Sequence, residues 1–316
     1  MNNIPIVLMH SGDSFYLKYC IQSIRKSNPN SKIFLIGENV KEEYEGVEKH
    51  DLNNYKKYAR QIEKDYVHFN TSNPKIELFC IKRWFILLDF MEKNNIKEIC
   101  ASDSDVILYQ NLENDRNFFN KYDYVLAKGQ SAGFSFFSNI NVLRAYVKFV
   151  NDFYDNKFYL KKYSKIRSIT DMFFWGELKN IDYGKDFVVG DISTIINSKV
   201  YCTGILNKQN NITMHRGMKK IFFVDKKPFV MIYTPNKMCK NFLDYLFGGD
   251  QFRYVELKSV HCQAGTKFYM KYFLNGKCGL REKLQCELMR FLRNNLSPIM
   301  PIKLRNFCKK IMHKVF

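Results

Sequence analysis

Ile4–Met9 (IPIVLM) is an apolar run that reads as a buried first strand, and a polar, glycine-containing loop, His10–Ser14, follows it. Phe15–Lys26 then carries apolar residues at Leu17, Cys20, Ile21 and Ile24, a helical spacing that Asn28-Pro29-Asn30 stops. Lys32–Ile36 (KIFLI) reads as a second strand, closed by Gly37, and Val47–Leu52 as a short third. A strand–loop–helix–strand opening points to an α/β fold, a parallel sheet with crossover helices. In such sheets ligands bind beyond the carboxyl ends of the strands, where the His10–Ser14 loop falls.

The same logic applies to Lys97–Tyr109 (KEICASDSDVILY). Apolar Ile99, Cys100 and Ala101 run into Asp103-Ser104-Asp105, and Val106, Ile107 and Leu108 follow. This reads as a buried strand delivering carboxylates to a sheet edge, with both Asp on one side if the strand is fully extended. Two carboxylates at that spacing can share one hard divalent cation, Mg2+ or Mn2+, which also binds a substrate diphosphate. The alternative is a surface turn.

Downstream, Asn54–Asn70 reads as a polar helix. Lys75–Asn94 is a strong one, with Leu78, Ile81, Phe85, Leu88 and Met91 on one stripe and Arg83 and Trp84 within it. Asp123–Ala127 is a further strand, Ser131–Ser138 (SAGFSFFS) a small-residue turn running into a strand, and Val142–Tyr154 an aromatic-rich helix. Ser168–Leu178 is helical, with Ser168 or Thr170 as cap. Ile221–Tyr233 reads as a hairpin turning at Asp-Lys-Lys-Pro. Phe252–Val260 is a late strand that ends in His261. From Gly279 basic residues (Arg281, Lys283, Arg290, Arg293) alternate with apolar ones. This divides the chain into a main domain, 1–278, and a basic amphipathic helical tail, 279–316.

The net charge of +19 calls for a partner: nucleic acid, an anionic membrane surface or a phosphate-bearing substrate. No recognisable nucleic-acid module is present, so none is expected as a partner. Leu, Met and Phe interleave with the basic residues of the tail, which favours an anionic membrane surface over nucleic acid or simple packing on the domain. No apolar stretch reaches the length of a membrane span, and the N-terminus does not read as a signal peptide. Nine scattered cysteines without a CxxC pair suit reduced thiols. Together these lead to the expectation of a cytoplasmic protein, peripheral on the inner face of the cell membrane.

Asp103-Ser104-Asp105 after an apolar strand, SAGF at Ser131–Phe134, Thr170-Asp171-Met172, then His261 and Lys267 resemble the nucleotide-sugar-dependent glycosyltransferases of the GT-A fold. Their order is similar to that of the retaining enzymes of the bacterial lipopolysaccharide and glycogenin type, and the opening segment looks like enzymes of capsule and surface-polysaccharide synthesis. The resemblance covers about residues 4–273. It implies a GT-A (Rossmann-like) mixed sheet flanked by helices. The implied activity is metal-dependent transfer of a sugar from a nucleoside-diphosphate sugar, a UDP-sugar foremost, to a glycan or glycolipid acceptor.

The resemblance also implies roles. Asp103, Asp105 and His261 bind Mn2+ or Mg2+. Lys267 contacts the diphosphate, with Ser104 and Gly265 beside it. Arg83 faces the metal and phosphates, and Asp171 sits on the reactive side of the sugar. His10, Gly12 and Asp13 cradle the nucleoside, Asp51 reaches towards the base, and Ala132 and Gly133 leave room for the sugar. In relatives with His-x-x-Gly-x-x-Lys the glycine stands three after the histidine; here that place is Ala264, and Gly265 follows.

Each residue also has a plainer reading. Arg83 could be a solvated helix arginine, Asp171 could favour a helix N-terminus, Gly12 could shape a turn, and Asp13 could cap the helix after it. Trp84 and Trp175 read as core rather than sugar platforms. Among rival functions, a nucleotidyltransferase making the sugar nucleotide wants Arg and Lys in its first glycine loop, and HSGDS has neither. A nucleic-acid-binding protein and a glycosyltransferase-like protein without activity complete the alternatives.

Overall fold

The computed structural model describes residues 3–69, 73–128, 131–156, 169–195, 199–209, 212–215, 218–219, 221–234 and 251–276. The tail read from 279 onwards, and the boundary near 278, lie outside them. Contacts divide the described residues into two units interleaved along the chain. One takes its residues from 1–13, 30–103 and 111–192, the other from 14–29, 104–110 and 193–316.

The first unit is built on a seven-stranded sheet. β1 (Ile6–Ser11), β2 (Ile33–Glu38), β3 (Val47–Asp51) and β4 (Ile99–Ser102) are its parallel half, in the order β3-β2-β1-β4. β6 (Tyr124–Ala127), β7 (Ser131–Phe137) and β8 (Val189–Asp191) complete the order as β7-β6-β8. β7 runs antiparallel to both β4 and β6, so the sheet is mixed. This is the mixed sheet that the resemblance implies, with the strands read from the opening segment forming its parallel half. His10 belongs to β1 rather than to the loop after it, paired in register with Gly37.

The sheet is covered by α3 (Pro74–Lys93), which Asn73 caps by accepting from the Lys75 N–H at 2.9 Å, with Pro74 opening the first turn. Its last four turns bury more than the expected stripe, since Trp84, Ile86, Leu87 and Phe90 are buried as well. α2 (Ala59–Asp65) and a 3-10 turn at Leu52–Tyr55 replace the longer helix expected over 54–70. α4 (Arg116–Phe119) is a single turn, and α5 (Ile140–Asp155) and the helix Asp171–Leu178 pack on α3. Between them Tyr146 stacks on Trp175 at 4.3 Å, and Trp84 meets Trp175 edge-on at 5.3 Å. Both tryptophans are buried core residues, each aromatic pair contributing about 0.5–1.5 kcal/mol beyond burial.

Among the described residues no helix is long and apolar enough to cross a membrane. Cys20, Cys80, Cys100, Cys202 and Cys262 are free thiols.

The start of the chain is tied to this unit by Glu113. Its carboxylate accepts from the Ile4 N–H at 2.7 Å and from Arg116 Nε at 2.7 Å, while Arg116 Nη1 reaches Glu98 at 2.6 Å. Arg116 foremost, with the Ile4 N–H behind it, holds the Glu113 carboxyl below its ordinary 4.5 against the opposing effect of burial. A lowered folded pKa contributes stability that is complete above the unfolded value and is lost as the pH falls through the folded one. Glu113→Gln is therefore expected to cost about 1 kcal/mol at neutral pH and less below about pH 4. Urea denaturation at both pH values checks this, and a cost that does not change with pH contradicts it.

The second unit holds a smaller sheet. β5 (Val106–Leu108) pairs antiparallel with β14 (Gln251–His261), β14 with β13 (Lys227–Thr234), and β13 with β12 (Ile221–Val224). β9 (Lys199–Tyr201) joins β14 in parallel, and β10 (Met214–His215) and β11 (Met218–Lys219) form a short ribbon. The expected hairpin is present and turns at Asp225-Lys226, both at positive φ, as a two-residue loop with the twist of its strands requires. α1 (Leu17–Ser27) packs on β5, where Ser23 Oγ accepts from the Leu108 N–H at 3.0 Å.

Candidate active site

The expected single strand through Asp103 and Asp105 is two strands. β4 ends at Ser102, Asp103-Ser104-Asp105 makes a turn, and β5 begins at Val106. Asp103 therefore belongs to the first unit and Asp105 to the second, with Ser104, itself buried, between them. A strand break at an acidic pair lets each carboxylate answer to its own surroundings.

In the first unit, the Asp103 N–H donates to the Gly133 carbonyl at 2.7 Å, extending the β4–β7 ladder by one rung. Its carboxylate receives Arg83 Nη1, while Arg83 Nη2 donates to Asp171 Oδ2 at 2.9 Å. Trp84 Nε1 is 3.4 Å from the same Asp171 oxygen, and the guanidinium lies 4.6 Å from the Trp84 ring centre. Arg83 is thus a buried bridge between two carboxylates, not a solvated helix arginine. Burial pulls its pKa down, but Asp103 and then Asp171 outweigh this and hold it above the ordinary value. Arg83 Nε is buried with no partner among the described residues.

Asp171 opens its helix behind the cap Thr170, so its N-terminal position and its pairing with Arg83 coexist. Cys80, one turn before Arg83, is a neutral thiol. Burial pushes it up to about 12 in spite of the guanidinium.

In the second unit, backbone pairing fixes Asp105 against the end of β14. The Cys262 N–H donates to the Asp105 carbonyl at 2.8 Å, one step beyond the His261↔Val106 pair. An imidazole and an ammonium converge on the carboxylate: His261 Nε2 is 3.1 Å from Oδ1, and Lys267 Nζ is 3.0 Å from Oδ2. Asp105 is 8% exposed, so burial acts to raise its pKa, but His261 first and Lys267 next hold it well below the ordinary carboxylate range. Lys267 is held above its ordinary value by Asp105, against burial. Oδ1 nevertheless has no hydrogen-bond donor among the described residues, although His261 Nε2 lies 3.1 Å away.

The turn from His261 to Lys267 enters a 3-10 helix, Ala264–Tyr269, which includes Gly265. Ala264 sits at φ +49°, a left-handed conformation that costs a residue with a Cβ about 1–2 kcal/mol. The chain keeps a path suited to glycine at the third place after the histidine without having glycine there.

The remaining predicted residues line the carboxyl edge of the parallel strands in the first unit. His10 is buried at the end of β1. Gly12 turns at φ +74°, its N–H donating to the Glu38 carbonyl at 2.8 Å, and no atom lies within 4 Å of where a Cβ would stand. Asp13 accepts from the Lys41 N–H at 2.8 Å and caps no helix, since Tyr16 holds the N-cap of α1. Asp51, exposed at the end of β3, accepts from the Asn53 N–H at 2.8 Å and borders a cavity of about 580 Å³ with Gly37, Asn39, Lys49 and His50. Tyr16, beside Lys267, was not legible in the sequence, because the contact spans 251 positions.

No protein-family model matches the chain, and no curated protein matches it. Among solved structures, mouse xyloside xylosyltransferase 1 is similar over 63% of this chain and 88% of its own, at 9% identity and a TM-score of 0.39. The galactosyltransferase LgtC, in complex with donor and acceptor sugar analogues, is similar over 62% of this chain and 76% of its own, at 10% identity and 0.38. The bifunctional glycosyltransferase WbbM is similar over 63% of this chain and 40% of its own, at 12% identity and 0.38.

Proposed function

We propose that the protein is a metal-dependent glycosyltransferase that moves a sugar, with retention of anomeric configuration, from a nucleoside-diphosphate sugar to a glycan acceptor of a bacterial surface polysaccharide. The observation that carries this reading is Asp105: a buried carboxylate faced by an imidazole and an ammonium, two residues along the chain from a second carboxylate. Among the described residues, Asp103, Asp105 and His261 are the group of acidic and imidazole side chains suited to a metal ion.

The donor set fits a divalent cation. Two carboxylates and one imidazole suit Mn2+ or Mg2+, and Asp105 Oδ1 offers a buried lone pair without an aligned donor. Bound there, such an ion would neutralise charge on a diphosphate leaving group. The chain's own residues do the rest. Lys267 brings an ammonium to the phosphate oxygens, where negative charge grows as the glycosidic bond breaks. Arg83 fixes Asp103 and Asp171 relative to each other, so that Asp171 meets the hydroxyls of the sugar in one orientation. Gly12 keeps the loop after β1 free of side-chain bulk for the nucleoside. The basic segment from 279 on brings the protein to an anionic inner membrane face, where a lipid-linked acceptor would be met.

The test is a screen of UDP-, GDP- and CDP-sugars for Mn2+-dependent hydrolysis and thermal stabilisation, with Asp105→Ala as control. At least one nucleotide sugar should respond in the wild type and none in the variant. Silence from all of them, or an equal response from Asp105→Ala, rejects the reading. The anomeric configuration of the product, read by NMR, decides retention.

A further inference from the structure

Lys267 has a second anchor besides Asp105. Its Nζ lies 3.2 Å from the Tyr16 hydroxyl and 4.4 Å from the centre of the Tyr16 ring. The two residues are 251 positions apart in the sequence, and both belong to the second unit. Phe15 and Phe268, the neighbours of the pair, stack on each other at 5.3 Å with planes 13° apart, and Phe15 meets the Tyr16 ring edge-on at 5.4 Å. Segments 15–16 and 267–268 therefore grip each other twice, once through rings and once through the ammonium.

Tyr16 stands at the start of α1 at φ −91° and ψ −18°, already in the helical region, and its side chain makes no cap bond. It reaches Lys267 across the unit's own sequence.

We infer that Tyr16 is a positioning residue for Lys267, holding its ammonium where it meets the phosphate oxygens of a nucleoside diphosphate; this rests on the proposed function. A lysine head on a flexible four-carbon stem samples many rotamers. Anchoring it on the ring and hydroxyl of Tyr16 removes most of that freedom before the ligand arrives. Asp105 alone would not suffice, because a carboxylate shared with a divalent cation has less to offer an ammonium.

The test is calorimetric titration of UDP, GDP and CDP, each with Mn2+, into the wild type, Tyr16→Phe, Tyr16→Ala, Lys267→Ala and the Tyr16→Ala/Lys267→Ala double variant. Tyr16→Ala should weaken binding about tenfold, and Tyr16→Phe, which keeps the ring face, about two- to threefold. Adding Tyr16→Ala to Lys267→Ala should change nothing beyond about twofold, because a residue that acts through another has no effect once that other is gone. The inference is overturned if Tyr16→Ala binds as the wild type, or if it weakens the Lys267→Ala protein by the same factor as the wild type, for then Tyr16 touches the nucleotide itself. Tyr16→Phe, the mildest change at the helix start, keeps the comparison open should Tyr16→Ala fold poorly. A wild type that binds none of the three nucleotides rejects the proposed function and this inference together. Binding that Asp105→Ala abolishes and Tyr16→Ala leaves intact rejects this inference alone.

Discussion

Asp105→Asn is expected to abolish Mn2+ binding at micromolar to millimolar concentrations and to lower kcat/KM by about 10³-fold. The side chain keeps its shape and loses its charge. What remains is His261 and Lys267 facing a neutral amide at a site where the wild-type carboxylate lies 3.1 and 3.0 Å from them. Removing the charged partner of a buried ammonium costs about 3–5 kcal/mol, because the group left behind stays desolvated. Two readouts separate the roles. Calorimetric titration with Mn2+ reports ligation, and urea denaturation reports the ion cluster. A variant that is destabilised yet binds Mn2+ like the wild type would show Asp105 to be structural only, and the proposed metal site would be lost with it.

Arg83→Met should destabilise the protein by about 3–5 kcal/mol. Arg83 holds two carboxylates at once, Asp103 and Asp171, and its removal leaves both without their cation in a site walled by Trp84. Arg83→Lys should recover only part of this, since an ammonium cannot present two parallel donors to two separate partners. Combining Arg83→Met with Asp171→Asn should cost less than the sum of the two single changes, because one buried charge leaves with the other. Urea denaturation of the four proteins measures it. Additive costs, or a loss for Arg83→Met within about 0.5 kcal/mol, would show that the bridge carries little energy.

What could be read from the chain was whatever a short window contains. The apolar run of β1, the spacing of Leu17, Cys20, Ile21 and Ile24 in α1, and the long stripe of α3 each announce themselves within one element, and each is found. The acidic pair at the end of an apolar strand was legible too, but not the break between its members. Val106–Leu108 continues the apolar character of Ile99–Ser102, and only pairing with β14 instead of β1 reveals a second sheet. The antiparallel course of β7 is not in the hydrophobic pattern, because direction is a property of partners, and only the resemblance implied a mixed sheet. Arg83 looked like any helix arginine, because its two carboxylates lie 20 and 88 residues away. Asp13 beside a helix start suggested a cap, yet its acceptor is taken by Lys41, a contact with no local signature.

The separations within the two clusters bear on the order in which a growing chain can acquire its chemistry. The Arg83 bridge closes over 88 residues and needs nothing beyond Asp171. The Tyr16–Lys267 contact closes over 251 and cannot exist until the far end of that loop is in place. Loop closure costs entropy that rises with length, and contacts across such distances slow folding. During synthesis the Arg83–Asp171 bridge can therefore form before the Tyr16–Lys267 contact. On the proposed function, the capacity to bind nucleotide would then appear only with the later of the two contacts, and so mark completion of the fold.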